Sequence, residues 1–328
     1  MRKFVAATMV GAAAAIAVGG VLFGAGCAMG GSPGFYFDKS GIHVKEKTEI
    51  ASGEDHVLEY TELKSVKNLD IRLENADLEI VRGTEWAVEY VLDGDRTEPV
   101  YETDGRTLKI REGEYRSESF GYGFSFGPSW WDADAGRNRA PYVRITMPGT
   151  GALEQVTIEN AYGDISIGDK LTAEDVRIYA ECGNVEMADW EGVNLTVEEA
   201  YGNFTAGKLE GTNLVVTSES GEVKTGALLT ETADFQMEYG NLTATVEKVS
   251  SLEVENESGA VTLGLTGGMD GFGISLYTDW GTIRTPEGIV EADEMEGSSE
   301  FVRLKDKESG AAIRIHTEYG DIRLREEA

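Results

Sequence analysis

Apolar and polar residues alternate in short bursts along the last two thirds of the chain, and the bursts recur at a fixed period. A glycine marks each one: Gly163, Gly183, Gly202, Gly221, Gly240, Gly259, Gly281 and Gly320, at spacings of 20, 19, 19, 19, 19, 22 and 39. Seven residues before these glycines stand Val156, Val176, Leu195, Leu214, Ala233, Leu252, Ile274 and Ile313. Five before stand Ile158, Ile178, Val197, Val216, Phe235, Val254, Leu276 and Ile315, and two after stand Ile165, Val185, Phe204, Val223, Leu242, Val261, Ile283 and Ile322. Alternation by two is the signature of strands with one buried face. Each period therefore predicts two short strands around a tight turn, the glycine supplying a positive φ and the following Asp or Asn bonding to the local backbone. Further Gly and Asp residues, at Gly168-Asp169, Gly192, Gly211 and Gly226, close most periods.

No segment after residue 31 has sustained helical periodicity. Equal periods in one register predict an all-β fold, a β-solenoid of ~19-residue coils with two short strands each. An antiparallel meander folded into a sandwich also gives short alternating strands and stays open as the competing geometry. The final spacing is about twice the period, so one coil there is degenerate or interrupted. A faint earlier copy lies at 69–80, with Ala76 at the glycine position. The segment 286–312 reads as a cap over an exposed sheet edge. Strand-like runs at 86–92, 106–111 and 142–147 read as the start of the same β-structure with hairpin insertions.

The N-terminus has a different pattern. Arg2 and Lys3 precede an uncharged run from Phe4 to Met29, 26 residues long, against the roughly 20 that a helix needs to cross the hydrocarbon core. It predicts one N-terminal transmembrane helix with its positive end in the cytoplasm and the remainder of the chain extracytoplasmic. Cleavage at Gly26-Cys27-Ala28, or lipidation at Cys27, are the competing readings, and both also place the bulk outside. The expected organisation is an anchor or signal segment at 1–31 and a linker at 32–55. An N-terminal β part with hairpin insertions and an aromatic loop follows at 56–152, then the β-strand-repeat solenoid at 153–328.

Charge narrows the partners. The chain of 328 residues carries 29 Lys and Arg against 59 Asp and Glu, a formal net charge of −30. Nucleic acid is excluded as a partner, because phosphates demand a basic face. Two cysteines and three histidines leave little for a zinc cluster or for His-based catalysis. His43, His56 and His316 have no metal-ligand spacing. The sequence contains no nucleophile elbow, phosphate loop or metalloprotease helix, so no catalytic residue is assigned. A carboxylate pair for glycoside hydrolysis keeps an enzyme open as a distant third class.

Three groups of residues remain as candidate chemistry. Two before the repeat glycines lie Glu181, Glu219, Glu238, Glu257, Asp279 and Glu318, interrupted by Ala161 and Ala200. Stacked roughly 4.8 Å apart, these carboxylates either form a cation ladder, with Ca²⁺ as the candidate ion, or a solvated acidic face screened by salt. The absence of a calcium nonapeptide favours the solvated face, with no cofactor. The segment 115–131 brings Phe120, Tyr122, Phe124, Phe126, Trp130 and Trp131 together among Gly and Ser. It reads as a partner-binding surface, a membrane-interface contact, or a loop folded over one end of the solenoid. Tyr162, Tyr201, Tyr239, Trp280 and Tyr319 directly precede repeat glycines. They read as rings stacked on one another over the turn, with a ladder facing carbohydrate as the alternative. Cys182 shares their column as a small hydrophobe.

The AMGG exit from the anchor, the GIHV segment at 41–44, the run VRITMPGTGALEQVTIENAYGDISIG at 143–168 and the recurring YGD and YGN turns resemble the bacterial putative-adhesin family. The resemblance covers most of the chain after residue 40. It implies an extracytoplasmic β-strand-repeat domain common in Gram-positive bacteria and offers no catalytic residues. Its motif is a repeat consensus, so it carries architecture further than activity. The expected role is a non-enzymatic, membrane-anchored adhesin or cell-envelope scaffold whose partners are the membrane, an envelope polymer, or a surface or membrane protein. The alternative, suggested by family members encoded beside envelope-stress regulators, is a stress sensor acting through a membrane-protein partner.

Overall fold

The computed structural model describes residues 35–38, 41–44, 54–114, 140–290, 298–303 and 311–327. The predicted anchor and the aromatic segment at 115–131 lie outside the described residues. The chain divides into two compact units, 1–54 with 115–138 and 55–114 with 139–328. In the first, Phe35–Asp38 pairs antiparallel with Gly41–Val44. No helix among the described residues is long and apolar enough to cross a membrane.

The second unit is a parallel solenoid. The strands Leu153–Asn160, Leu171–Cys182, Trp190–Tyr201 and Leu209–Ser220 stack in register, each residue on its counterpart one period later: Val156 on Val176, Val176 on Leu195, Leu195 on Leu214. The three-residue strands Ile165–Ile167, Val185–Met187 and Phe204–Ala206 form a second parallel ladder beyond the glycine corner. The meander alternative is thereby excluded for the repeats. Each coil holds two strands, but they are unequal. Towards the C-terminal end, Val223–Tyr239 and Leu242–Ser258 run continuously through the boundary between coils.

The inward columns form one core. Val156, Val176, Leu214, Val216, Phe204, Val223, Leu242 and Ile322 are fully buried, each contributing about 1.5–3 kcal/mol by leaving water. Trp190 is also fully buried, and its Nε1–H donates to the Ala173 carbonyl at 3.3 Å. Its ring explains Gly211 and, together with the closer Ala173 carbonyl of the neighbouring coil, Gly192, both read above as period-closing turn residues. Both lie inside strands, and a Cβ at either would collide with the indole.

Stacking order departs from chain order at both ends. The coil of Thr107–Arg111 and Tyr142–Pro148 stacks before the earlier coil of Asn68–Leu73 and Asp77–Gly83, which in turn meets Leu153–Asn160 and Ile165–Ile167. At the other end Ala312–Tyr319 pairs with Leu242–Ser258 on one side and Gly273–Trp280 on the other. The last coil is thus inserted beneath the Gly281 coil, which accounts for the doubled final spacing. Antiparallel strands cover the terminal edges. Val100–Asp104 and Trp86–Leu92 do so at one end, Gly288–Val290 and Ser299–Arg303 at the other. Such coverage removes exposed parallel edges that would template pairing with another chain.

Candidate functional site

The corner at the repeat glycines is the most regular feature of the surface. A Cβ on Gly183 would lie well inside 3.0 Å of the Gly163 carbonyl, and the same holds for Gly202 on Gly183, Gly240 on Gly221, Gly320 on Gly259 and Gly281 on Gly320. Among the eight, positive φ is confined to Gly221, Gly240 and Gly259, at 154°, 158° and 140°. The shared requirement is therefore close approach of successive coils, and the expectation of a positive-φ turn at every glycine is corrected accordingly.

The Asp or Asn that follows five of these glycines also works between coils, not within its own turn. Asp164 Oδ1 accepts the Asn184 N–H at 2.7 Å, Asn184 Oδ1 accepts that of Asn203 at 3.2 Å, and Asn203 Oδ1 accepts that of Glu222 at 2.9 Å. Asn241 and Asp321 do the same for Ala260 and Thr282, both at 2.8 Å.

Beneath the corner lies a polar interior column that the sequence reading missed. Three residues before each glycine stand Asn160, Ala180, Glu199, Ser218, Met237, Asn256, Thr317 and Thr278, all buried. The inward register at seven and five before the glycine extends to three before, so the signal was present. The Asn and Thr side chains of this column serve corner backbone groups that would otherwise be unpaired. Asn160 Nδ2 donates to the Ala76 carbonyl at 3.0 Å, Asn256 Nδ2 to Gly240 at 3.1 Å, and the hydroxyls of Thr278 and Thr317 to Gly320 at 3.0 and 3.1 Å. Glu199 brings a carboxyl to the same place, and the Ser218 hydroxyl donates to it at 3.4 Å. Burial pushes the Glu199 pKa up to about 7; the Ser218 hydroxyl opposes that rise and the Glu219 charge adds to it.

At the first coils Glu112 takes over the corner. Its Oε2 accepts the N–H groups of Glu74, Asn75 and Ala76 at 2.7, 2.9 and 3.3 Å. Its Oε1 lies 3.2 Å from Arg96 Nε, with both side chains buried, and Arg96 Nη1 donates to the Gly113 carbonyl at 2.8 Å.

Outside the corner, two columns face solvent. In stacking order the residues directly before the glycines are Tyr162, Cys182, Tyr201, Ser220, Tyr239, Ser258, Tyr319 and Trp280. The five rings are each 58–60% exposed. The ring contacts recorded among the described residues, Tyr90 with Tyr101 and Tyr277 with His316, lie elsewhere. The expectation that these rings stack on one another is therefore corrected for the four tyrosines: Cys182, Ser220 and Ser258 intervene and hold them two coils apart, and only Trp280 and Tyr319 lie on adjacent strands.

The neighbouring acidic column places Glu219, Glu238, Glu257 and Glu318 on consecutive coils along a depression of about 380 Å³, which Gln236, Glu255 and His316 also line. Asp279 follows on the last coil, with its Oδ2 3.3 Å from His316 Nε2 and its Oδ1 accepting from the Tyr277 hydroxyl at 3.0 Å. Among the described residues no three His, Cys, Asp or Glu side chains converge as a metal group. The six aromatic residues from Phe120 to Trp131, named above as partner-binding candidates, lie outside the described residues.

No curated protein matches this chain. It is similar to the crystal structure of a putative adhesin from Bacteroides fragilis, at 12% identity over 83% of this chain and 97% of that one, with a TM-score of 0.46. A putative cell adhesion protein from Clostridium sporogenes is 13% identical over 83% and 100% of the two chains, with a TM-score of 0.25. A putative lipid binding protein from Parabacteroides distasonis is 11% identical over 84% and 98%, with a TM-score of 0.32. Identities this low transfer no ligand. The family model described as Toastrack DUF4097 matches residues 66–325, which span the solenoid from its first inward column to its last strand, and the chain belongs to that family.

Proposed function

We propose that this chain is a non-catalytic, extracytoplasmic repeat protein, held at the membrane by its N-terminal segment, whose solenoid adheres to or scaffolds envelope components. The observation that carries this reading is the glycine corner, where rings and carboxylates face solvent coil after coil. A rigid array of equivalent positions sums many weak contacts with a repetitive or multivalent partner. The pairing of His316 with Asp279 is half-exposed, and His316 lines a depression that is open to solvent. The chemistry of a nucleophile–base pair instead needs a shielded pocket.

The test is crosslinking of the full-length protein in living cells, followed by identification of what is captured. Enrichment of wall polymer or surface protein is the expected result. Enrichment of a single membrane signalling protein would replace this reading with the sensor alternative. A parallel capture with residues 116–131 deleted asks whether the aromatic segment takes part, and loss of capture there would assign the contact to it.

A further inference from the structure

The two exposed columns are not independent. On the coils of Gly163, Gly202, Gly240 and Gly320 the residue before the glycine is Tyr, and it is preceded by Ala161, Ala200, Glu238 and Glu318. On the intervening coils of Gly183, Gly221 and Gly259 that residue is Cys or Ser, and it is always preceded by Glu: Glu181, Glu219 and Glu257, all exposed. Tyrosines thus recur on every second coil, each coil between two of them carries a carboxylate, and from Glu219 on the tyrosine coils carry one as well. The inserted last coil keeps the alternation, because Tyr319 stacks on Ser258, which stacks on Tyr239.

Coils stack at the spacing of paired strands, so the backbones of successive tyrosines are about 9.5 Å apart, and the coil in each gap, about 4.8 Å from the coils on either side, carries a carboxylate one position before the tyrosine column. That repeat is close to the length of one disaccharide in an extended β-linked chain. The flat C–H face of a pyranose stacks on an aromatic ring, as other apolar groups do. A carboxylate in every gap repels acidic polymers and complements a protonated amine at least once per disaccharide.

We propose that this corner binds an extended β-linked amino-sugar polysaccharide, laid along the solenoid axis with successive disaccharides on Tyr162, Tyr201, Tyr239 and Tyr319 and its amines against Glu181, Glu219 and Glu257. The assignment rests on the adhesive reading and names its ligand class. Contacts at single rings are weak, so affinity rises steeply with chain length until the ligand spans the four tyrosines.

The test uses the full-length protein in detergent and measures its binding to a β-1,4-linked glucosamine hexamer, the N-acetylated hexamer and the glucose hexamer. The glucosamine hexamer is expected to bind best and to outbind its dimer. Y201A/Y239A is expected to weaken it roughly ten-fold with an unchanged melting temperature, since both rings are exposed. E219Q/E257Q is expected to reduce the preference for the free amine. Equal binding by wild type and Y201A/Y239A would overturn the proposal, because attraction to a chain of net charge −30 would then suffice. Equal binding of the three hexamers, or binding of none, would overturn it as well. Binding of both proteins to isolated cell envelopes separates the two levels of the argument. Attachment retained by Y201A/Y239A refutes the glycan assignment and leaves adhesion standing, whereas no attachment of wild type refutes both.

Discussion

Placing alanine at Gly183 separates the two reasons a protein keeps a glycine. A Cβ there would sit well inside 3.0 Å of the Gly163 carbonyl oxygen and carbon, with the Asp164 nitrogen behind them. All three are backbone atoms of a hydrogen-bonded ladder and cannot swing aside, so the coils must separate locally. Overpacking of this kind costs typically about 1–3 kcal/mol. Gly105 offers the opposite case. It has φ of 61° and nothing within 4 Å of an added Cβ, so alanine there meets only the left-handed penalty of about 1 kcal/mol. Gly271 has open space and no positive φ. Alanine there is neutral or stabilising by about 0.4–1 kcal/mol through the unfolded chain. Urea unfolding of the three variants is expected to rank Gly183→Ala as the most destabilised, then Gly105→Ala, then Gly271→Ala. A thermal scan should lower the melting point of Gly183→Ala by several degrees, at about 2–4 °C per kcal/mol for a domain of this size. If Gly105→Ala proves the costlier substitution, close approach is not what the repeat glycines serve.

Three further outcomes follow from buried and exposed charge. Arg96→Ala strands the Glu112 carboxylate in the first corner and should cost about 3–5 kcal/mol in denaturant unfolding; an effect under 1 kcal/mol would show that the pair is not buried in solution. Glu199→Gln should leave stability at pH 4.5 nearly unchanged and raise it at pH 8. The folded-state pKa of about 7 lies above the unfolded value, so the native state loses up to about 3 kcal/mol as pH climbs through that window. A difference between variant and wild type that does not vary with pH would contradict this. Since no three carboxylates of the acidic column converge, calcium and sodium at matched ionic strength should raise the melting temperature equally, and a rise specific to calcium would restore the cation ladder.

The solenoid was legible because its information is periodic. Val156, Val176 and Leu195 repeat one register, and a ladder of identical coils converts that register directly into neighbours. What the sequence concealed is contact between coils. Gly183 and Asn184 look like local turn residues, yet their constraints come from Gly163 and Asp164 one period earlier. Gly192 and Gly211 look like breaks, yet Gly211 makes room for Trp190, and Gly192 for Trp190 and the Ala173 carbonyl of the neighbouring coil. The polar column from Asn160 to Thr317 was overlooked because a polar residue in an alternating strand suggests solvent, whereas Asn160, Asn256, Thr278 and Thr317 face corner carbonyls. The stacking order at the two ends has no periodic signature at all. It is set by which coil the chain returns to after the segments around 96–100 and 288–303, and the doubled spacing before Gly320 was its only trace. The return of a tyrosine on every second coil was visible in the letters around each glycine, but it acquires meaning only once coils are known to stack directly.

That stacking order fixes the spacing of the rings, and it is tested most directly by engineered disulfides in a background with Cys27 and Cys182 replaced by serine. Ser258 and Tyr319 are paired neighbours on adjacent strands, within the roughly 4.4–6.8 Å that a disulfide spans between Cα atoms. Ser258 and Trp280 are separated by the inserted coil, about 9.5 Å apart. Oxidation should therefore close S258C/Y319C and leave S258C/W280C reduced. The reverse result would mean that the coils stack in chain order and that Trp280, not Tyr319, continues the column.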